Sequence, residues 1–85
     1  MKKLDIKTAI RADNMVRGII AEKIADAPVV MTSVWLMAAW LYLQNPTRIE
    51  LIDLRSKLER KPVAPDAAAA IADLLQKIDY DIRFD

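Results

Sequence analysis

Residues 27–43 read APVVMTSVWLMAAWLYL and contain no charged side chain. The hydroxyl groups in this stretch belong to Thr32, Ser33 and Tyr42. If the stretch is helical, apolar residues point in every direction around its axis, and such a helix must be covered on all sides. We therefore expect a fully apolar central helix over about residues 29–44, covered by the rest of the domain, by a second chain or by lipid.

The composition limits the chemistry that this protein can perform. The 85 residues are enough for one small domain, residues 1–85, whose core is thin unless a partner enlarges it. The chain has no cysteine and no histidine, which excludes thiol chemistry and removes the commonest general base and metal ligand. The single glycine, Gly18, excludes a glycine-rich phosphate loop. These absences predict a protein that is not an enzyme and uses no cofactor or metal.

The charge pattern predicts a cytoplasmic protein. A formal net charge of +1 implies no general attraction to nucleic acid or to a membrane surface. The N-terminus, MKKLDIKTAIRAD, begins with lysines as a signal peptide does, but charged residues interrupt the apolar region that a signal peptide needs. The interrupting residues are Asp5, Lys7, Arg11 and Asp13.

Four prolines divide the chain into four segments with helical patterning, because the residue before a proline disfavours helical geometry. Thr47 and Glu50 have the spacing of a capping box and place the start of the third helix. Asp66 is expected to open the fourth helix, where its charge suits the helix dipole. In the first segment the predicted core stripe consists of Ala9, Val16, Ile20 and Ile24, widened by Ala12, Met15 and Ile19. The expected fold is a compact four-helix domain, mainly α.

The two ends of the chain show a different period. In residues 78–85 the apolar residues Ile78, Tyr80, Ile82 and Phe84 alternate with charged ones, which is typical of a strand. Residues 3–8 also alternate, although they could instead begin a helix capped by Asp5. Pairing of the two segments would add a small ribbon and give an α+β fold.

The apolar stretch also predicts the function. Three helices in so short a chain cover a fully apolar helix only by surrounding it, and a homodimer would cover it more easily. We expect Trp35 and Trp40 to be largely buried, and we expect the protein to dimerise and to regulate or block another protein by binding it. The residues proposed for the dimer or partner interface are Met31, Trp35 and Met37.

Three other features of the sequence allow alternative interpretations. A basic cluster on the third helix could bind nucleic acid, although Asp53 and Glu59 interrupt it. The uncharged run is at the short limit for a membrane span. The acidic residues Asp79, Asp81 and Asp85 are either a cation site or a solvated face. The basic cluster consists of Arg48, Arg55, Lys57, Arg60 and Lys61.

Overall fold

The computed structural model describes residues 6–84, with the side chains of residue 11 and of residues 13–84. These residues form four helices, α1 (Ile6–Asp26), α2 (Thr32–Leu43), α3 (Arg48–Glu59) and α4 (Ala68–Phe84). The first three helices each end two or three residues before a proline, where helical geometry is disfavoured. The prediction of a compact, mainly α domain with four helices is confirmed, and the described residues form no strand.

A capping box starts α3. The Oγ1 atom of Thr47 accepts a hydrogen bond from the Glu50 backbone N–H at 3.2 Å, and Glu50 Oε1 accepts one from the Thr47 backbone N–H at 3.1 Å. Just before this box, Asn45 has a φ of 52°, a left-handed conformation that asparagine adopts more readily than most residues. The local sequence therefore determines both the turn and the helix start, as predicted.

The start of α2 differs from the prediction. Its N-cap is Met31, which makes no side-chain cap, and the helix begins at Thr32, later than the expected start at about residue 29. Thr32 is the first residue of α2, and its hydroxyl donates a hydrogen bond to Asp66 Oδ2 at 2.9 Å. Asp66 itself lies two residues before α4 and not within it.

The chain folds as two antiparallel hairpins, α1–α2 and α3–α4, and each of α1 and α4 packs against both α2 and α3. Arg17 of α1 approaches Glu50 at the start of α3. At the other end, the Lys61 ammonium donates to the carbonyls of Ile24 and Ala25 in the last turn of α1. Helices α1 and α3 therefore run side by side in the same direction.

A backbone contact joins the two linkers at that end of the bundle. The Val30 N–H donates to the Pro62 carbonyl, and the Ala64 N–H donates to the Val30 carbonyl, both at 2.9 Å. Val30 and Val63 form an isolated parallel bridge. The extended residues after α1 are thereby fixed against the linker between α3 and α4.

The buried core contains residues from all four helices and from the two linkers that meet at this end of the bundle. On α4 its members recur at helical spacing, as the sequence predicts for Ile71, Leu74 and Ile78. The buried residues are Ile24, Val30, Val34, Ala38, Leu51, Leu54, Leu58, Ala67, Ile71, Leu74, Ile78 and Ile82.

The predicted terminal ribbon is wrong, because α4 continues as a helix to Phe84. Ile78 and Ile82 are four residues apart, a spacing that fits one face of a helix as well as one face of a strand. Both are buried, whereas Tyr80 and Phe84 are exposed, which is the pattern of a helix. Residues 1–5 lie outside the described part of the chain, and residues 6–8 belong to α1.

Helix α2 is not central, which corrects a second expectation. Its neighbours are α1 and α4, so only part of its circumference is covered, and its fully buried residues are Val34 and Ala38. Trp35 and Trp40 are half-buried and do not belong to the buried core. Gly18 of α1 has open space where a Cβ would lie, so close packing against a tryptophan does not explain it.

Candidate interaction surface

An apolar stripe runs along the solvent side of α2. Leu36 is 55% exposed and Leu43 is 72% exposed, and the half-buried Trp40 lies between them. Spacings of four and three residues place these side chains in one line on a helix. The stripe therefore leaves a row of large apolar side chains without cover from the described part of the chain.

A second apolar group lies on α1. Val16 and Ile19 are about half exposed, and Met15 is 66% exposed. Val16 was predicted as a core residue, with Met15 and Ile19 beside it, and the structure corrects this. The core side of α1 is occupied by Ile24, with Ile20 packed against it.

The two groups lie on the same side of the α1–α2 hairpin. Gly18 and Ala21 of α1 line a groove towards α3, and Ala39 and Tyr42 of α2 line a depression towards α4. Successive residues of a helix are rotated by about 100° around its axis. The two apolar groups therefore lie on the side of each helix that faces neither α3 nor α4, where α1 and α2 adjoin. We call this surface the hairpin face; it consists of Met15, Val16, Ile19, Leu36, Trp40 and Leu43.

The structure does not bring the predicted interface residues together. Met31 is 47% exposed and lies one turn before Trp35, so these two share the flank of α2 that adjoins α4. Met37 lies on the opposite flank and is partly buried against the core. The hairpin face lies between these flanks, and the repeat of Leu36, Trp40 and Leu43 is the sequence signal that marks it.

Most of the basic cluster on α3 is occupied by contacts within the fold. Arg55 Nε lies 2.7 Å from Glu59 Oε1 and 2.9 Å from Asp79 Oδ1. Lys57 Nζ lies 2.7 Å from Asp53 Oδ2, as the spacing of four predicts. Together with Lys61, which binds α1 carbonyls, three of the predicted nucleic-acid residues have intramolecular partners.

The remaining two cations, Arg48 and Arg60, are exposed at opposite ends of α3. Twelve residues of helix separate them by about 18 Å along the axis. Within residues 6–84 neither of them forms a salt bridge. The five predicted residues therefore do not form one continuous basic surface.

A groove of about 270 Å³ lies between α1 and α3. Its charged groups neutralise one another, because Arg17 is 3.9 Å from Glu50 and Lys57 pairs with Asp53. The hydrogen bond from the Thr47 backbone N–H lowers the pKa of the Glu50 carboxyl below its ordinary value. The groove therefore presents no uncompensated charge that would select a ligand.

The acidic residues near the end of α4 are used for packing between helices. Asp81 Oδ2 accepts a 2.6 Å hydrogen bond from the Tyr42 hydroxyl, which raises the pKa of Tyr42 above its ordinary value. Asp79 pairs with Arg55, and Asp85 lies outside the described residues. In the described part of the chain, acidic residues do not gather in a group of three that could hold a metal ion.

Among residues 6–84, no helix combines the length and the apolar character that crossing a bilayer requires. No protein family, curated protein or solved structure matches this chain.

Proposed function

We propose that this protein is a small non-catalytic interaction module and that the hairpin face is the surface through which it binds another polypeptide chain. The observation that carries this proposal is the stripe of exposed Leu36 and Leu43 and half-buried Trp40 on a helix without a single charged residue. Soluble monomers rarely expose continuous apolar patches beyond a few hundred Å², and larger ones mark contact surfaces.

Burial of the exposed leucines of the hairpin face would stabilise a complex. Full burial of a leucine side chain is worth about 1.5–3 kcal/mol, and Leu36 and Leu43 each keep more than half of their surface in water. Covering both would therefore contribute on the order of 2–4 kcal/mol. Tryptophan is enriched among residues that dominate interface energies, which adds Trp40 as an anchor.

The exposed apolar residues of α3 support a contact surface less well. Ile49 and Ile52 lie on α3 among Arg48, Asp53 and Glu59. Isolated apolar side chains among charged neighbours are normal on protein surfaces. Helix α2 differs because its entire outward side lacks charge.

A role as a regulator or inhibitor of another protein is the form of this proposal that suits a small domain without cysteine or histidine. Nucleic-acid binding is the competing proposal, and we do not favour it because Arg55, Lys57 and Lys61 have intramolecular partners. A retention assay on DNA and RNA at several salt concentrations would test it, since phosphate contacts weaken steeply with salt.

Site-specific photo-crosslinking in the native host tests the proposed module. A benzophenone amino acid is placed at Leu36 or Leu43, and at Ile49 as a control that is 80% exposed on another helix. We expect adducts of discrete mass from both hairpin positions and only diffuse, weak labelling from Ile49. Mass spectrometry then identifies the attached chain.

Two outcomes would contradict the module. Absence of discrete adducts from both hairpin positions, in protein that is expressed and folded, would show that the hairpin face is not covered in the cell. Equal adducts from Ile49 would show that exposure alone determines the labelling.

A further inference from the structure

We propose that the groove between α1 and α3 binds a small uncharged carbonyl compound with an apolar body, such as an amide. The groove lies on a different side of α1 from the hairpin face, so this inference goes beyond the proposed interaction module. Two observations carry it: a glycine in the wall of the groove that the fold does not require, and an arginine beside it with unused hydrogen-bond donors.

Gly18 is the only glycine of the chain and lies within α1, where glycine destabilises a helix relative to alanine. A left-handed backbone or close packing commonly requires such a glycine. Neither applies here, because the φ of Gly18 is not positive and an added Cβ would contact no neighbouring side chain or helix within 4 Å. Gly18 lines the groove, so the lack of a side chain at this position keeps the groove open.

The inner wall of the groove is apolar. Leu54 is buried, and Ala21 and Leu41 are partly buried, whereas Glu50 and Asp53 at the rim are exposed. The volume is about 270 Å³, and a dry protein cavity of about 150 Å³ is enough to hold benzene. The groove therefore accommodates an apolar body of about ten non-hydrogen atoms.

Arg17 supplies hydrogen-bond donors for a polar group of the ligand. Its Nη2 atom donates to the Gln44 backbone carbonyl at 3.0 Å and lies 3.9 Å from Glu50 Oε2, which is beyond hydrogen-bond distance. Its Nε atom is buried and has no hydrogen-bond partner within residues 6–84. Arginine has five N–H donors, and buried donors are normally paired. A carbonyl oxygen beside this guanidinium would supply an acceptor that the fold leaves out.

The charges of the groove favour an uncharged ligand. The charged residues that line it are two cations and two carboxylates, Arg17, Lys57, Glu50 and Asp53. A carboxylate ligand would compete with Glu50 for Arg17, and an ammonium ligand would compete with Lys57 for Asp53. In both cases one member of an existing pair would lose its partner, which is costly. An uncharged carbonyl oxygen can accept from Arg17 while both pairs remain.

A nuclear magnetic resonance titration of the isotope-labelled full-length protein with benzamide is the first test. We expect saturable shifts of the backbone amides of Arg17, Gly18 and Leu54 and of the Arg17 Nε–H. The expected dissociation constant is about 1–10 mM, as is usual for a ligand of this size. Benzoate and benzylamine keep the ring but carry a charge, and each should bind at least about five-fold more weakly.

Gly18→Leu fills the groove and should weaken benzamide binding at least about ten-fold. Leucine is a better helix former than glycine, so this variant should melt no lower than the native protein, which thermal circular dichroism measures. Ala72→Leu is the matched control, because Ala72 is exposed on α4 and does not line the groove. Arg17→Lys keeps the charge but loses the guanidinium donors, and it should weaken benzamide binding about five-fold.

Shifts that do not saturate, or equal binding of benzamide by the native protein and folded Gly18→Leu, would overturn the groove as the binding site. Benzoate or benzylamine that binds as tightly as benzamide would overturn the uncharged ligand. Saturable shifts confined to Leu36, Trp40 and Leu43 would place benzamide on the hairpin face. That result would overturn this inference and leave the proposed function standing.

Discussion

Lys61 connects the linker after α3 to the end of α1, and its removal gives a sharp test of how the bundle is held together. Its ammonium donates hydrogen bonds to the backbone carbonyls of Ile24 and Ala25, the latter at 2.8 Å. These carbonyls belong to the last turn of a helix, where they lack helical partners and where a cation interacts favourably with the dipole. We predict that Lys61→Met destabilises the domain.

The magnitude follows from the contacts. A hydrogen bond that involves a charged group contributes about 1.5–3 kcal/mol, and a helix-end cation about 0.3–1 kcal/mol. Ala25 is exposed, so water can replace one of the two hydrogen bonds, whereas Ile24 is fully buried and its carbonyl is less accessible. Methionine keeps the apolar stem, so we expect a net loss of about 1–2.5 kcal/mol in the free energy of unfolding.

Urea unfolding monitored by circular dichroism measures this loss, with Arg60→Met as the matched control. Arg60 is the neighbouring exposed cation and makes no salt bridge within residues 6–84, so we expect a change below about 0.5 kcal/mol. For a domain of this size the Lys61 variant should also melt roughly 4–20 °C lower. Equal stability of the two variants would show that the hydrogen bonds of Lys61 to α1 do not stabilise the fold. Lys61 would then no longer count against nucleic-acid binding by the basic cluster.

Two further predictions concern the helices. Glu50→Ala should lower the free energy of unfolding by about 1 kcal/mol at pH 7 through loss of the capping box. The pKa of Glu50 is lowered in the fold by the Thr47 backbone N–H, so its contribution is present above the ordinary glutamate pKa of about 4.3 and is lost as the pH falls through the lowered value. Urea titrations from pH 7 to pH 3 should therefore show the variant and native curves converging, and a constant difference would contradict this. Ile82→Ala should cost about 2–3 kcal/mol in the same assay, whereas Tyr80→Ala should cost less than about 0.5 kcal/mol, because only Ile82 faces the core. Similar losses at both positions would indicate the alternating burial of a strand.

Local features of the fold could be predicted because their causes lie within a few residues. The prolines at positions 28, 46 and 62 end helices through steric restriction of the preceding residue. The capping box at Thr47 and Glu50 closes within one turn of backbone. The ion pairs of Lys57 with Asp53 and of Arg55 with Glu59 follow from helical spacing alone.

The end of α4 shows where local pattern stops being sufficient. Ile78 and Ile82 are four residues apart, an even number that is also close to one helical turn. Their spacing therefore fits one face of a strand as well as one face of a helix. The choice between helix and strand depends on partners that are distant in sequence. Asp81 accepts a hydrogen bond from the Tyr42 hydroxyl, and Asp79 forms a salt bridge with Arg55. Those contacts depend on how the second and third helices pack against α4.

The sequence by itself determined that α2 is apolar on every side, and the tertiary structure decided which side is covered. Coverage depends on which helices are neighbours, and α2 has α1 and α4 beside it, with Val34 and Ala38 turned inward. Leu36 and Leu43 are left outside for that reason, although nothing in their own chemistry distinguishes them from Leu41. The position of Lys61 has the same origin, because its partners in α1 precede it by 36 and 37 residues and only packing brings them together.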